Sequence, residues 1–205
     1  MRAAVFADPP VLCGHRGSGK GIVAGRRENT LESFRAAVAA GLGWVEVDAR
    51  MNADGVLVSR HDPALEDALR ERGATTAALV ADLVAPVADA GRPLLVSSFD
   101  PSALLIVRER VPGVPVGLLT WRRYPVRKAI TACVHLGAEV VAPHFDSLMA
   151  GPPYDHPPEE LVTVAHSAGL QVLTWSVPAG GREAAIAVGA DCLVIDDVAL
   201  ASPGL

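Results

Sequence analysis

Two histidines, one arginine and two carboxylates stand where a single chemistry could be assembled. His15 and Arg16 lie in "GHRG", directly after the apolar run "PPVLC". Glu46 and Asp48 flank Val47 in "WVEVDA", and the period-2 alternation of a strand puts both carboxylates on one face. His61 closes the run "GVLVSRHD". Carboxylate oxygens suit a hard divalent cation, Mg2+ or Ca2+. A guanidinium presents a planar fork to phosphate oxygens. Two imidazoles can share base and acid roles near neutral pH. Taken singly, each residue has a plainer explanation as a surface charge, a structural histidine or a solvated strand face. Grouped at the ends of neighbouring elements, they describe metal-assisted cleavage of a phosphodiester.

Such residues need a scaffold that brings strand ends together. Apolar runs with strand character recur at Val11–Cys13, Trp44–Asp48, Leu94–Phe99, Val116–Thr120, Glu139–Ala142, Gln171–Trp175 and Cys192–Ile195. Helical patterns separate most of them, several closed by a glycine such as Gly41, Gly137, Gly169 or Gly189. Continuous apolar strands alternating with helices predict parallel β/α units buried on both faces. "ENTLESFRAAVAAG" predicts a helix capped by Asn29 or Thr30, and Asp54-Gly55 predicts the turn of a β-hairpin that ends at His61. An open doubly wound sheet would follow its first strand with a tight glycine turn into a helix, and "GSGKGIVAGRRENT" is too long for that. The expected fold is therefore a TIM (β/α)8 barrel, with reactive groups on the C-terminal face of the strands. Only seven of its eight strands are evident. The widest gap lies between Asp48 and Leu94, where a helix over about Thr75–Ala90 is predicted but no strand.

Composition narrows the partners. With 205 residues, half of them hydrophobic, the chain suffices for one barrel domain over residues 1–205. The formal charge of −5 gives no basic face for nucleic acid. Cys13, Cys133 and Cys192 form no metal spacing and are expected as buried thiols of a cytoplasmic protein. No signal peptide or transmembrane run is evident.

The ordered blocks "GHRG", "ENTLESFRAAVAAG", "EVDARMNADGVLVSRHD" and "SSFD" resemble the glycerophosphodiester phosphodiesterase family, and "LQVLTWSV" and "GADCLVIDD" look like its later segments. The resemblance spans nearly the whole chain. It implies a TIM-barrel enzyme that uses a divalent cation to hydrolyse small glycerophosphodiesters to glycerol 3-phosphate and an alcohol. It implies that His15 and His61 are the acid/base pair, that Arg16 contacts the phosphate, and that Glu46 and Asp48 bind the metal. Trp175 would wall the pocket mouth and contact the substrate.

Three departures from that family's pattern stand out. The loop after "HRG" is longer here and carries Lys20, Arg26 and Arg27, giving either a surface loop or a basic flap. Pro178 replaces an asparagine after Trp175. The family's Glu-x-Lys strand, which supplies a third metal carboxylate and a phosphate contact, is missing: no Glu-x-Lys occurs anywhere, and Glu66 and Glu71 fall in a helical pattern. The junction "SRHDPALEDALR" reads as a seam. The sequence-based expectation is that the intact polypeptide carries several tens of further residues between about Pro63 and Thr75, including an acidic residue on an apolar strand; the alternative is a natural deletion of that segment. Two readings follow: an active phosphodiesterase, or a degenerate member that binds phosphate or phosphodiester without cleaving it.

Overall fold

The computed structural model describes residues 4–52, 54–62 and 73–198. In chain order the elements are β1 (Val11–Gly14), β2 (Ile22–Val23), β3 (Arg26–Arg27), α1 (Leu31–Ala39), β4 (Trp44–Val45), β5 (Ala49–Met51), β6 (Leu57–Ser59), α2 (Gly73–Asp89), β7 (Val96–Ser98), α3 (Pro101–Arg110), β8 (Val116–Thr120), α4 (Val126–Leu136), β9 (Val140–Pro143), α5 (Phe145–Leu148), α6 (Pro158–Ser167), β10 (Gln171–Val177), α7 (Arg182–Ala187) and β11 (Cys192–Ile195).

Seven of these strands form one parallel sheet, in the order β4-β1-β11-β10-β9-β8-β7. Among the described residues this is a barrel order with one place open. The two edges, β4 and β7, flank the position a strand between them in sequence would fill. The sheet is curled: Phe99 after β7 and Trp175 on β10 meet at 5.6 Å between ring centroids, whereas three strand spacings in a flat sheet would separate them by about 14 Å. Helix α2 packs on α3 and on the β5–β6 hairpin, so it spans from the β7 side of the opening toward the β4 side. The expected extra acidic strand, with Glu66 and Glu71, concerns residues 63–72, which lie outside the described residues.

Alternation along each strand sorts its side chains into two cores. Val116, Leu118, Val141, Val172, Leu193 and Ile195 face the helices. Cys13, Val140, Ala142, Leu173, Cys192 and Val194 face the interior of the curl, with Trp44, Leu95, Leu119 and Trp175 packed against them. Phe6 closes the bottom of that interior, edge-on to Trp44 at 5.1 Å. The Gln171 side chain ties this plug in place by accepting from Val5 N (2.7 Å) and Phe6 N (2.9 Å) and donating to Phe6 O (3.0 Å).

Helix boundaries follow local chemistry. Thr30, rather than Asn29, caps α1, its hydroxyl accepting from Ser33 N. Asn29 instead adopts a positive φ of 56° and turns its amide toward Asp48. Asp100 caps α3, with Pro101 in the first turn. Gly137 ends α4 in the left-handed conformation. The run Trp44–Asp48 is regular strand only over Trp44–Val45, although Glu46 N still donates to Gly14 O. Beyond it the chain leaves the sheet to form the antiparallel β5–β6 hairpin, turning through Gly55.

Candidate active site

The interior alternation continues one step past the apolar layer and sets the composition of the mouth. Trp44 on β4 leads to Glu46 and Asp48, Cys13 on β1 to His15, and Val194 on β11 to Asp196. The ladder carries on through the same points, His15 N donating to Ile195 O at 3.0 Å. Three adjacent strands therefore place their polar residues side by side.

His15 is held at both ring nitrogens. Nδ1 lies 2.6 Å from Asp196 Oδ1, and Arg16 Nε donates to Nε2 at 3.2 Å. With Nε2 accepting, Nδ1 carries the proton and donates to Asp196. That bond from His15, working against burial, holds the Asp196 carboxyl below its ordinary range. Lys20 N also donates to the same oxygen at 3.1 Å.

Arg16 is the hub of the cluster. It is only 4 % exposed and sits at φ 51°. Its Nη1 donates to both oxygens of Glu28 at 3.0 Å, its Nε lies 3.3 Å from Asp48 Oδ2, and its backbone N donates to Glu46 Oε2 at 3.0 Å. A buried guanidinium needs such partners, because an uncompensated buried charge is costly. Burial works to raise Glu28, but Gly21 N–H and the Arg16 guanidinium outweigh it and leave its carboxyl below the usual range. Glu46 goes the other way: burial, and then the neighbouring Asp48 charge, push its carboxyl up. Its Oε2 is 4.0 Å from His15 Nε2. Asn29 fixes Asp48 by donating from Nδ2 to Oδ2 at 2.8 Å and accepting from Asp48 N.

The loop over residues 18–27 forms a small β2–β3 ribbon rather than a loose flap. Gly21 N donates to Glu28. At Gly19 the backbone lies so close to Asp196 that a Cβ would come within 1.7 Å of Asp196 O, so only glycine fits there. At Gly14 a Cβ would lie 2.1 Å from Gly17 O, which keeps the turn carrying His15 and Arg16 tight.

His61 stands at the exposed end of the β5–β6 hairpin. Arg60 N donates to Asp48 O at 3.3 Å, which brings the histidine beside the carboxylates. Its Nδ1 is 2.6 Å from Asp62 Oδ1, and that bond from His61 lowers the Asp62 carboxyl. Its charge also reaches Glu28. Trp175 occupies the interior side of β10, its indole Nε1 donating to Ala142 O at 3.1 Å.

The structure thus brings His15, Arg16, Glu46 and Asp48 into one bonded cluster, with His61 beside it and Trp175 further along the rim. Sequence reasoning missed Glu28 and Asn29 as members and left Asp196 open, as a carboxylate after the last strand that could face the pocket or cap a final turn. Asp196 carried a usable signal, since Cys192, Val194 and Asp196 keep one alternation. Glu28 and Asn29 sit in the "ENT" block itself, where a helix start hides their second role. Among the described residues no group of three or more His, Cys, Asp or Glu side chains is arranged to hold a metal ion. Glu46 and Asp48 nevertheless crowd one another, which is the condition a divalent cation relieves.

The comparisons with known proteins bear on the fold and the family. Among solved structures, a protein of Silicibacter pomeroyi DSS-3 assigned as a glycerophosphoryl diester phosphodiesterase superposes with a TM-score of 0.76 at 21% identity, covering 97% of this chain and 94% of its own. A phosphodiesterase of Oleispira antarctica, in complex with the product sn-glycerol-3-phosphate, gives 0.72 at 19% identity over 91% and 93%. Glycerophosphodiester phosphodiesterase from Thermotoga maritima gives 0.69 at 20% identity over 95% and 97%. At such identities these likenesses establish the fold. No curated protein sequence matches the chain. The sequence profile of the glycerophosphoryl diester phosphodiesterase family matches residues 15–85 and 73–200. This chain belongs to the glycerophosphoryl diester phosphodiesterase family.

Proposed function

We propose that this chain, a phosphodiesterase by family, hydrolyses small glycerophosphodiesters to glycerol 3-phosphate and an alcohol, with His15 and His61 moving the protons. The observation that carries this reading is the His15 arrangement. Asp196 accepts the hydrogen bond of Nδ1–H, so the basic electron pair of His15 is on Nε2, which accepts from Arg16 Nε until the attacking water takes that place. His15 then accepts the proton of the attacking water through Nε2. The new P–O bond forms, the P–O bond to the alcohol breaks, and the leaving oxygen takes its proton from His61, whose Nδ1 is held 2.6 Å from Asp62 Oδ1. Arg16 balances the carboxylates and adds positive charge beside the phosphate.

Glu46 and Asp48 are the residues that would hold a divalent cation, Mg2+ or Ca2+. Two oxygen donors of this kind fit such an ion if water completes its shell. When bound, the ion would supply charge stabilisation to the phosphoryl oxygens. In keeping with a reducing, cytoplasmic setting, the free thiols Cys13, Cys133 and Cys192 are all buried, and no helix among the described residues is long and apolar enough to cross a membrane.

The second reading, a phosphate-binding member without turnover, draws support from the place between β4 and β7 that no strand fills among the described residues, where the family's third carboxylate would stand. One experiment separates the two. The purified protein is incubated with glycerophosphodiesters in Mg2+ or Ca2+, or in chelator, and glycerol 3-phosphate is quantified. Cation-dependent release supports the enzyme. Saturable binding of glycerol 3-phosphate with no release of product supports the binding member.

A further inference from the structure

The mouth of the curled sheet has two unlike halves. The polar half comes from β4, β1 and β11. On β10, β9 and β8 the next interior position past the apolar layer is filled by Trp175, His144 and Trp121, and on β7 Phe99 follows Leu95 and Ser97 on the interior side, level with Leu119. All four side chains are rings, and they touch. Phe99 stacks on Trp121 with centroids 4.0 Å apart and planes at 14°, and it meets Trp175 edge-on. His144 packs edge-on against Trp175 at 4.6 Å.

Trp121 stands out because it is 65% exposed although Phe99 covers one of its faces. The other face of the indole is therefore open. The residue is not loose. Ser147, buried within α5, donates its hydroxyl to Trp121 O at 3.3 Å and accepts from Arg123 N at 2.7 Å. Arg122 Nε donates to Asp146 Oδ2 at 2.6 Å. The turn after β8 is thus pinned to α5, and the open indole face is held in place before any ligand arrives.

We propose that this aromatic half of the mouth is the subsite for the alcohol moiety of the diester, and that it selects a ring-bearing, uncharged polyol such as an inositol over an aminoalcohol. This rests on the phosphodiesterase reading above. The geometry offers one flat face, the open side of Trp121 backed by the stacked Phe99, while Trp175 stands at 82° to Phe99. A flat face suits the breadth of a ring; an indole face also attracts an ammonium group, so discrimination against one falls to the arginines beside it. A cyclic polyol lays its weakly positive C–H groups on the negative face of the indole. Its hydroxyls can bond to the Arg122–Asp146 pair and to His144, whose Nδ1 accepts from Asp146 N and so leaves Nε2 as an N–H donor. Burial also lowers the His144 imidazolium's stability, favouring this neutral form. Arg122 and Arg123, directly after Trp121, disfavour a choline or ethanolamine cation.

The test compares kcat/KM for glycerophosphoinositol and glycerophosphoethanolamine in the wild type, Trp121→Ala and Trp121→Phe. The ratio of the two values does not depend on how much of a preparation is folded. The wild type should prefer the inositol ester. Trp121→Ala should lower that preference about five- to tenfold, the order expected for losing one aromatic face, and Trp121→Phe should recover most of it. Equal losses on both esters, no change in the ratio, or a wild-type preference for the ethanolamine ester overturns the subsite while leaving the phosphodiesterase reading intact. Hydrolysis of neither ester by the wild type overturns the phosphodiesterase reading and the subsite with it.

Discussion

His15 Nδ1 lies 2.6 Å from Asp196 Oδ1, a bond that joins the first and last strands of the sheet across 181 residues of sequence. It fixes the tautomer of His15 and the direction in which Nε2 points. Replacing Asp196 by Asn should lower kcat/KM about ten- to a hundredfold by losing that orientation, and should move the basic-group limb of the pH profile. The same bond has a stability signature. The Asp196 carboxyl is held below its ordinary range, so its contribution is present above the unfolded value of about pH 4 and is lost as pH falls through the lower folded value. The difference in melting temperature between wild type and Asp196→Asn should be largest near neutral pH and shrink in acid. A difference that grows in acid would contradict the assignment.

Glu28 should prove structural as well as functional. Its bidentate bond to the buried Arg16 is shared only in part by Asp48. Glu28→Ala should destabilise the fold by roughly 2–3 kcal/mol, somewhat below the usual cost of stripping a buried charge of its partner. Urea unfolding at neutral pH measures this. A change under about 0.5 kcal/mol, the range of ordinary surface substitutions, would show that Arg16 does not depend on Glu28.

Glu46 makes the opposite prediction. Burial and Asp48 raise its carboxyl in the folded state, so folding binds its proton more tightly than the unfolded chain does. The ionised group therefore costs stability that grows as pH rises from the unfolded value through the folded one. Glu46→Gln, whose amide oxygen can still accept from Arg16 N, should melt higher than wild type at neutral pH in chelator, by about 2–4 °C for each kcal/mol relieved. Adding Mg2+ or Ca2+ should raise the melting temperature of the wild type and leave the variant unmoved. A variant that melts lower in chelator, or responds equally to the cation, would remove Glu46 from the proposed ion site.

The scaffold is legible locally because continuous apolar strands and glycine-ended helices are set by neighbouring residues. His15, Arg16, Glu46, Asp48 and His61 are legible because they fall at the ends of those runs. Asp196 is harder, since a carboxylate after a strand serves as well to cap a helix. What decides its role is the pairing of β1 with β11, a contact between the two ends of the chain. Glu28 is hidden for a similar reason: its bond to Arg16 requires the 18–27 segment to fold back on itself. The aromatic half of the mouth depends on the curl of the sheet, which alone brings Phe99 to Trp175. The opening between β4 and β7 is the reverse case, where a strand missing from the sequence pattern is matched by an open place in the sheet among the described residues.

The central claim is that His15 and His61 move the protons of a glycerophosphodiester hydrolysis. It is tested most directly by measuring glycerol 3-phosphate release, in saturating Mg2+ or Ca2+, by the wild type, His15→Ala and His61→Ala. The account predicts release by the wild type and a loss of about a hundredfold or more in each variant. Undiminished hydrolysis in either variant would contradict it.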